Sequence, residues 1–382
     1  MTHIIGVILG AALLTSAANT HEIVSVYEHA ADINAACFSQ APDHTTYVST
    51  GDIDAMWLRD SSVQAMSYLK DRQLISGVIA RQERMIALDP HANAFHRDYS
   101  VAEEKFELDS LAFPVRLVDR YVDATGDTHI FDAKMHGALL VILRTLAVEE
   151  DHARQSSYHR NEHPVAANIG LIWSAYRPSD DPQRFNYNVP ENMFAAVTLH
   201  TMAEMLSQRF GDKTNAAKAN QLADRIEAAL AKHALFKTRY GTVYAYEIDG
   251  LGRAKFMDDA NMPSLLSMPL LGYPYDRQAY ANTRRYVLSP ADPYYYRGRY
   301  ASGVGSAHTP NGFVWPMSLV VEYKTSPFAS DRARIMQELS RSDAGDGVLH
   351  ESFDVNDPKR FTRERFGWVN ALFEQTFKQP TD

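Results

Sequence analysis

Cysteine is almost missing from this chain. Cys37 stands alone among 382 residues, so neither an intrachain disulfide nor a cysteine-based zinc site can form. Long apolar runs are missing too: residues 4–14 (IIGVILGAALL) fall well short of the ~20 residues that a membrane-spanning helix needs. There is no long basic run, and 38 Lys and Arg against 47 Asp and Glu leave a net charge of −9, which argues against nucleic-acid binding. No G-x-G-x-x-G follows a strand pattern, which makes a dinucleotide-binding fold improbable. The sequence also lacks G-x-x-x-x-G-K-[ST] and G-x-S-x-G, which removes a P-loop and a nucleophile elbow.

What is present reads as a folded globular protein. The 45% hydrophobic and 22% charged composition excludes disorder and coiled coil. Residues 4–14 have the length of a signal-peptide core and are followed by Ser16, Ala17 and Ala18, although no Lys or Arg precedes them. Residues 1–20 are therefore expected to be an export signal and the protein secreted or periplasmic. A first core helix in a cytoplasmic protein is the alternative. Residues 21–382 are expected to form a single domain.

Helical periodicity dominates after residue 20. Apolar spacing predicts helices over 60–69, 75–88, 110–123, 137–150, 192–210, 214–235, 330–339 and 362–377. Strand-like alternation is confined to 238–256, with Asp249-Gly250 as a hairpin signal. Between the helices lie long segments, 41–58, 89–109, 172–193, 251–274, 286–317 and 342–361, rich in Gly, Pro, Asp, Asn and aromatics. All four tryptophans, Trp57, Trp173, Trp315 and Trp368, lie in or near them. Loops this long in a compact domain are usually functional, and their aromatic and carboxylate content suits a polar, ring-shaped ligand.

Three constellations carry chemistry. Asp52, Asp54, Met56, Trp57, Arg59 and Asp60 place carboxylates, a guanidinium and an indole within nine positions. Carboxylates accept from sugar hydroxyls, Arg donates to them, and an aromatic face covers C–H groups. An internal ion pair with Asp60 as a helix cap is the plainer reading of the same residues. In Ser179-Asp180-Asp181, adjacent carboxylates that are close and partly desolvated repel, so one can keep a proton near neutral pH as a general acid must; a solvated turn that caps a helix is the alternative for the same residues. Glu351, beside His350, could activate a water molecule, although an ordinary exposed loop carboxylate is the plainer reading of the residue alone. Asp109 reads equally as an N-cap or a ligand contact. His159-Arg160-Asn161-Glu162-His163 matches the inverted zinc-protease pattern, but Pro164 and Ser156-Ser157 deny it the helix that those ligands need.

Together these motifs resemble glycoside hydrolase family 125. The run Gly51-Asp52-Ile53 to Ala55-Met56-Trp57-Leu58-Arg59-Asp60-Ser61 is similar to that family's G-D-I-P-A-M-W-L-R-D-S signature. Further matches follow in the same order: 105–110 with Pro114, 177–181 with Pro190 and 192–195, 257–266, 308–315, and 350–353 with 366–373. The resemblance covers roughly residues 37 to 377. It implies a mostly α (α/α)6 toroid of helical hairpins, with long functional loops and a minor β-hairpin. It also implies an exo-acting α-1,6-mannosidase that inverts configuration and needs no metal or other cofactor. The acid falls on Asp180 or Asp181 and the base on Glu351. Asp52, Met56, Trp57, Arg59, Asp60, Glu107, Asp109, Arg177, Asn192, Asp259, Asn261, His308, Trp315 and His350 form the expected sugar-binding set. The implied partners are mannose-terminated glycans, with the protein a monomer that contains no membrane span.

The sequence departs from the family pattern at Asp54 and Asn311, which replace Pro, and at Leu108 and 112–113 in the segment before Pro114. The chain before Cys37 is short, so the first toroid helix is expected to be abbreviated. These departures leave the acid and base intact but loosen the hold on linkage preference. A catalytically inactive mannoside-binding protein and an exo-glycosidase of other linkage preference are the competing readings.

Overall fold

A computed structural model describes residues 17–377 of the chain, with side chains from residue 24 onward. The apolar run 4–14 and the last five residues lie outside the described residues. Among the described residues no helix is long and apolar enough to cross a membrane.

Apart from the single turn His152–Gln155, the helices alternate along the chain between two rings. Ala17–Ala36, Arg72–Leu88, Ala133–Glu150, Lys213–His233, Arg277–Val287 and Ala329–Leu339 form the outer ring. Leu58–Ala65, Leu108–Thr125, Val189–Arg209, Met268–Leu271, Pro316–Thr325 and Gly367–Phe377 form the inner ring. The split follows from burial. Every residue of Leu58–Ala65 is buried, as are the first two turns of Leu108–Thr125, Val189–Arg209 and Gly367–Phe377, whereas the outer helices bury one stripe, as amphipathic surface helices do. Within the inner ring, Leu58–Ala65 packs on Leu108–Thr125, which packs on Val189–Arg209, and Gly367–Phe377 returns to pack on Leu58–Ala65. The fold is an (α/α)6 toroid.

The two kinds of helix start differently. Four of the six outer helices open on aspartates that cap them: Asp71 accepts from the Leu74 amide, Asp132 from Lys134 and Met135, Asp212 from Asn215 and Asp276 from Ala279. Three inner helices open on Trp57, Glu107 and Trp315, none of which makes a side-chain cap. Trp57 and Trp315 instead line the cavity above the ring, and Glu107 turns to Arg59. The connections from each outer helix to the next inner one are long, and they coincide with the Gly/Pro/aromatic segments read from the sequence.

Short strands stiffen these connections, and they are more numerous than the sequence suggests. Met56–Trp57, Tyr187–Asn188 and Phe313–Val314 each run straight into an inner helix, and each belongs to a three-stranded antiparallel sheet. Pieces of two to six residues are too brief for an alternation pattern to show. Helices Arg277–Val287 and Pro316–Thr325 also went unanticipated. The former is strongly polar, and the latter begins inside an aromatic loop segment. Two further expectations need correction. The first outer helix is not abbreviated; it spans 20 residues, Ala17–Ala36. Residues 362–366 are not helical, because the strand Asp357–Thr362 pairs with Ser352–Asp354 and the helix begins only at Gly367.

The ring is sealed where its first and last loops meet. Gly51 bridges Phe366, and the Gly367 amide donates to the Thr50 carbonyl at 3.1 Å. Gly51 has a φ of +100°, and a Cβ there would collide with the Arg365 carbonyl, so only glycine fits.

Candidate active site

The loops enclose a cavity of about 410 Å³ above the inner ring, lined by Trp57, Arg59, Asp60, Glu103, Lys105, Ser179, Asp180, Asn261, His308, Trp315, Glu351, Arg363, Phe366 and Trp368, among others. Its floor is Arg59, whose guanidinium is an electrostatic hub. Nη1 donates to Glu107 Oε2 at 2.7 Å and to Asp109 Oδ2 at 3.2 Å, Nη2 lies 3.5 Å from Asp180 Oδ1, and Nε lies 3.2 Å from Asp60 Oδ2. The Trp368 ring stacks over its planar group at 4.7 Å.

One guanidinium cannot balance four carboxylates, so protons must be shared among them. Burial, with added repulsion from Asp180 and Asp109, pushes Glu107 well above the ordinary carboxylate range. Burial likewise raises Asp60 and takes Asp109 up to about 6. Asp180 goes the other way. Burial pushes it up, but Arg59, a hydrogen bond with Glu107, Lys105 and His308 together hold it below its usual value. The two carboxylates are thus driven apart, Glu107 upward and Asp180 downward, and Glu107 Oε1 has no hydrogen-bond partner among the described residues.

Asp180 sits at the tip of a tight turn. Its φ is +63°, its amide donates to the Arg177 carbonyl at 2.9 Å, and the Arg177 amide donates to the Asp181 carbonyl at 2.9 Å. Asp is among the few residues that tolerate this left-handed region. Asn93 Nδ2 donates to its Oδ1 at 3.0 Å. Asp181, its neighbour, points elsewhere and is absent from the cavity wall. It lies 3.2 Å from His308 Nδ1 and accepts from Ser179 Oγ at 3.3 Å. That contact with Asp181 is the main reason the His308 imidazole is pushed up to about 9.

Glu351, from the last loop, lines the same cavity as Asp180. Burial raises its carboxyl, while Arg363, 4.0 Å away, and His308 pull it back. Asp52 in turn grips Arg363: its Oδ1 accepts from both Nε and Nη2, and its Oδ2 from the Arg365 amide at 3.3 Å.

Of the expected sugar-binding set, Trp57, Arg59, Asp60, Asn261, His308 and Trp315 line the cavity; the others do not. Asp52 holds Arg363 rather than facing the cavity. Met56 is fully buried in the core because alternate residues of its strand point away from the cavity. Glu107 and Asp109 lie beneath Arg59. Arg177 is locked at 2.6 Å to Glu247, and Asn192 is consumed by the Ile172 amide and carbonyl. Asp259 braces the loops by accepting from Ser179 and Ser306, each at 3.1 Å. His350 stacks on Phe361 at 3.6 Å with its Nδ1 on the Arg363 carbonyl. All of these hold the walls from behind.

The sequence reading missed Glu103, Lys105, Ser179, Arg363, Phe366 and Trp368 as wall residues. Trp368 had a signal, as one of only four tryptophans close to the loops. Arg363 had none, because its run of alternating charges reads as ordinary surface.

A toroid with an acid-rich, aromatic-walled cavity over its inner ring defines a glycosidase scaffold. The family model of metal-independent α-mannosidases, glycoside hydrolase family 125, matches residues 15–377, and the chain belongs to that family. It superposes on the metal-independent α-mannosidase of Streptococcus pneumoniae, solved as a non-productive complex with α-1,6-mannobiose. The TM-score is 0.87, with 36% identity and 93% of each chain covered. The meiotically up-regulated gene 157 protein of Schizosaccharomyces pombe is also 36% identical, over 86% of this chain and 75% of its own length. A GH78 rhamnosidase of Bacillus sp. GL1 shares the fold alone, with 13% identity and a TM-score of 0.65 over 93% of this chain and 34% of its own.

Proposed function

We propose that the protein is an exo-acting α-1,6-mannosidase that hydrolyses terminal mannose with inversion, Asp180 acting as general acid and Glu351 as general base. The observation that carries this reading is that these two carboxylates, 171 positions apart (351 minus 180) in sequence, line one cavity, and that His308 acts electrostatically on both.

Asp180, rather than Asp181, is the acid because only Asp180 reaches the cavity wall. The proton it needs is held by Glu107. When a glycoside fills the cavity, water is displaced from Asp180, the charged form loses solvation, and the shared proton moves onto it. Asp180 then protonates the departing glycosidic oxygen. Glu351 takes a proton from a water molecule that attacks the opposite face of the sugar through an oxocarbenium-like transition state. Inversion requires room for that water, with carboxyl groups about 6.5–9.5 Å apart.

Trp368 lines the cavity, and its buried Nε1 has no hydrogen-bond partner among the described residues. Arg59 and Asp60 close the cavity floor, which favours a chain end over an internal sugar. The preference for the α-1,6 linkage rests on the likeness to the S. pneumoniae enzyme.

The test is incubation of wild type and Glu351→Gln with α-1,6-mannobiose and its α-1,2 and α-1,3 isomers, followed by NMR. Initial release of β-mannose from the α-1,6 disaccharide by wild type alone is expected. Initial α-mannose would overturn inversion, and preference for another isomer would overturn the linkage.

A further inference from the structure

We infer that His152, His159 and Glu162 form a binding site for a first-row divalent ion of the zinc type, remote from the catalytic cavity. The three side chains bring their ligand atoms within 4.8 Å of one another. They open onto a separate cavity of about 260 Å³ that shares no lining residue with the catalytic one and also includes His163.

The geometry is that of a prepared ligand set. His152 donates from Nδ1 to Glu149 Oε2 at 2.6 Å, and Glu149 is fully buried. With the proton of a neutral ring held on Nδ1 by that carboxylate, Nε2 is the atom that can ligate an ion, as in carboxylate–histidine–zinc triads. The ring is held flat against Trp173, with centroids 3.6 Å apart and planes within 9°. Its Nε2 lies 3.3 Å from Glu162 Oε1, and His159 Nδ1 lies 2.6 Å from the same oxygen. A tetrahedral ion with bonds of about 2.0–2.2 Å keeps its donors roughly 3.3–3.6 Å apart. The His152–Glu162 pair already meets that spacing, and the exposed His159 needs only a small outward rotation. Two imidazoles with one carboxylate select zinc over magnesium or calcium, which prefer oxygen-only sets.

The motif that looked like a zinc-protease helix is thus reused without a helix: residues 156–168 form neither helix nor strand. The site would tie this loop to the end of the outer helix Ala133–Glu150. The loop matters to catalysis indirectly, because Asn161 Nδ2 donates to the Ala175 carbonyl at 2.5 Å and the Gln183 carbonyl at 3.3 Å. Those residues flank the hairpin that carries Asp180. A bound ion would buttress the turn of the proposed acid without taking part in hydrolysis, in keeping with a metal-independent family.

Another candidate cluster, His200, Asp224 and Glu227, lies on exposed helix faces, and the histidine's Nδ1 meets only Asn220. It lacks the buried carboxylate that orients His152.

The experiment is isothermal titration of chelator-stripped, tag-free full chain with ZnCl2, repeated on His159→Ala, Glu162→Gln and His200→Ala. One Zn2+ per chain is expected, with affinity unchanged in His200→Ala and weakened by roughly 100-fold or more in His159→Ala and Glu162→Gln. Zn2+ should also raise the melting temperature of wild type but not of the two ligand variants. Absence of saturable binding overturns the inference, and so does binding that survives in both ligand variants, whether or not His200→Ala removes it.

Discussion

Asp180 and Glu107 converge on one guanidinium: Arg59 Nη1 donates to Glu107 at 2.7 Å and Nη2 stands 3.5 Å from Asp180. Neither carboxylate would behave this way in isolation. Burial raises Glu107, while Arg59, Lys105 and His308 help hold Asp180 below its usual value, and in the proposed mechanism a proton passes to Asp180 when substrate fills the cavity.

The adjacent aspartates should therefore separate sharply on substitution. Asp180→Asn is expected to lose about 10²–10⁴-fold in turnover of α-1,6-mannobiose, the usual scale of general acid catalysis. On an aryl mannoside with an acidic phenol the loss should be far smaller, since that leaving group needs no proton. Asp181→Asn breaks one charge-assisted bond to His308, about 1.5 kcal/mol or roughly tenfold, on both substrates alike. Equal losses for the two variants on both substrates would remove the distinction between them.

Arg363 is expected to set the acid limb of the pH profile. Burial raises Glu351, and Arg363 is the largest influence holding it down. A base works only when ionised. Arg363→Met should therefore raise the Glu351 pKa further and move the acid limb of kcat/KM to higher pH, alongside any fall in the plateau. An unmoved limb would show that Glu351 is not the group titrating there.

His308 should make stability fall with rising pH. Its folded pKa of about 9 exceeds its ordinary value of 6.5, so the folded state holds the proton more tightly. The resulting stabilisation is complete below about pH 6.5, fades through the interval up to 9 and is gone above it. Melting curves of wild type and His308→Ala should converge across that window. A gap that stays constant from pH 6 to 9.5 would contradict the ion pair with Asp181.

Arg59→Met should destabilise the fold by about 3–5 kcal/mol, because it leaves several buried carboxylates uncompensated. Chemical denaturation reads this directly. The loss should shrink at acid pH, where those carboxylates are protonated anyway.

The sequence alone carried the architecture. Helical periodicity located most of both rings, and the long aromatic, carboxylate-bearing segments between them are the loops that surround the cavity. Local chemistry explains this legibility: apolar spacing, Asp caps such as Asp71 and Asp132, and Gly/Pro-rich breaks act within a few residues of chain. The motif around Trp57, Arg59 and Asp60, with Glu351 far downstream, also marked the cavity before any coordinates. Tertiary structure decided the rest. Which of Asp180 and Asp181 reaches the cavity depends on a left-handed turn closed by Arg177. That Met56, Arg177, Asn192 and His350 support the walls from behind depends on partners up to tens of residues away. Arg363 entered the site only because a strand ends at Thr362 and Asp52, 311 positions distant, holds its side chain. Side-chain direction and proton occupancy arise from contacts between segments remote in sequence, and no local pattern encodes them.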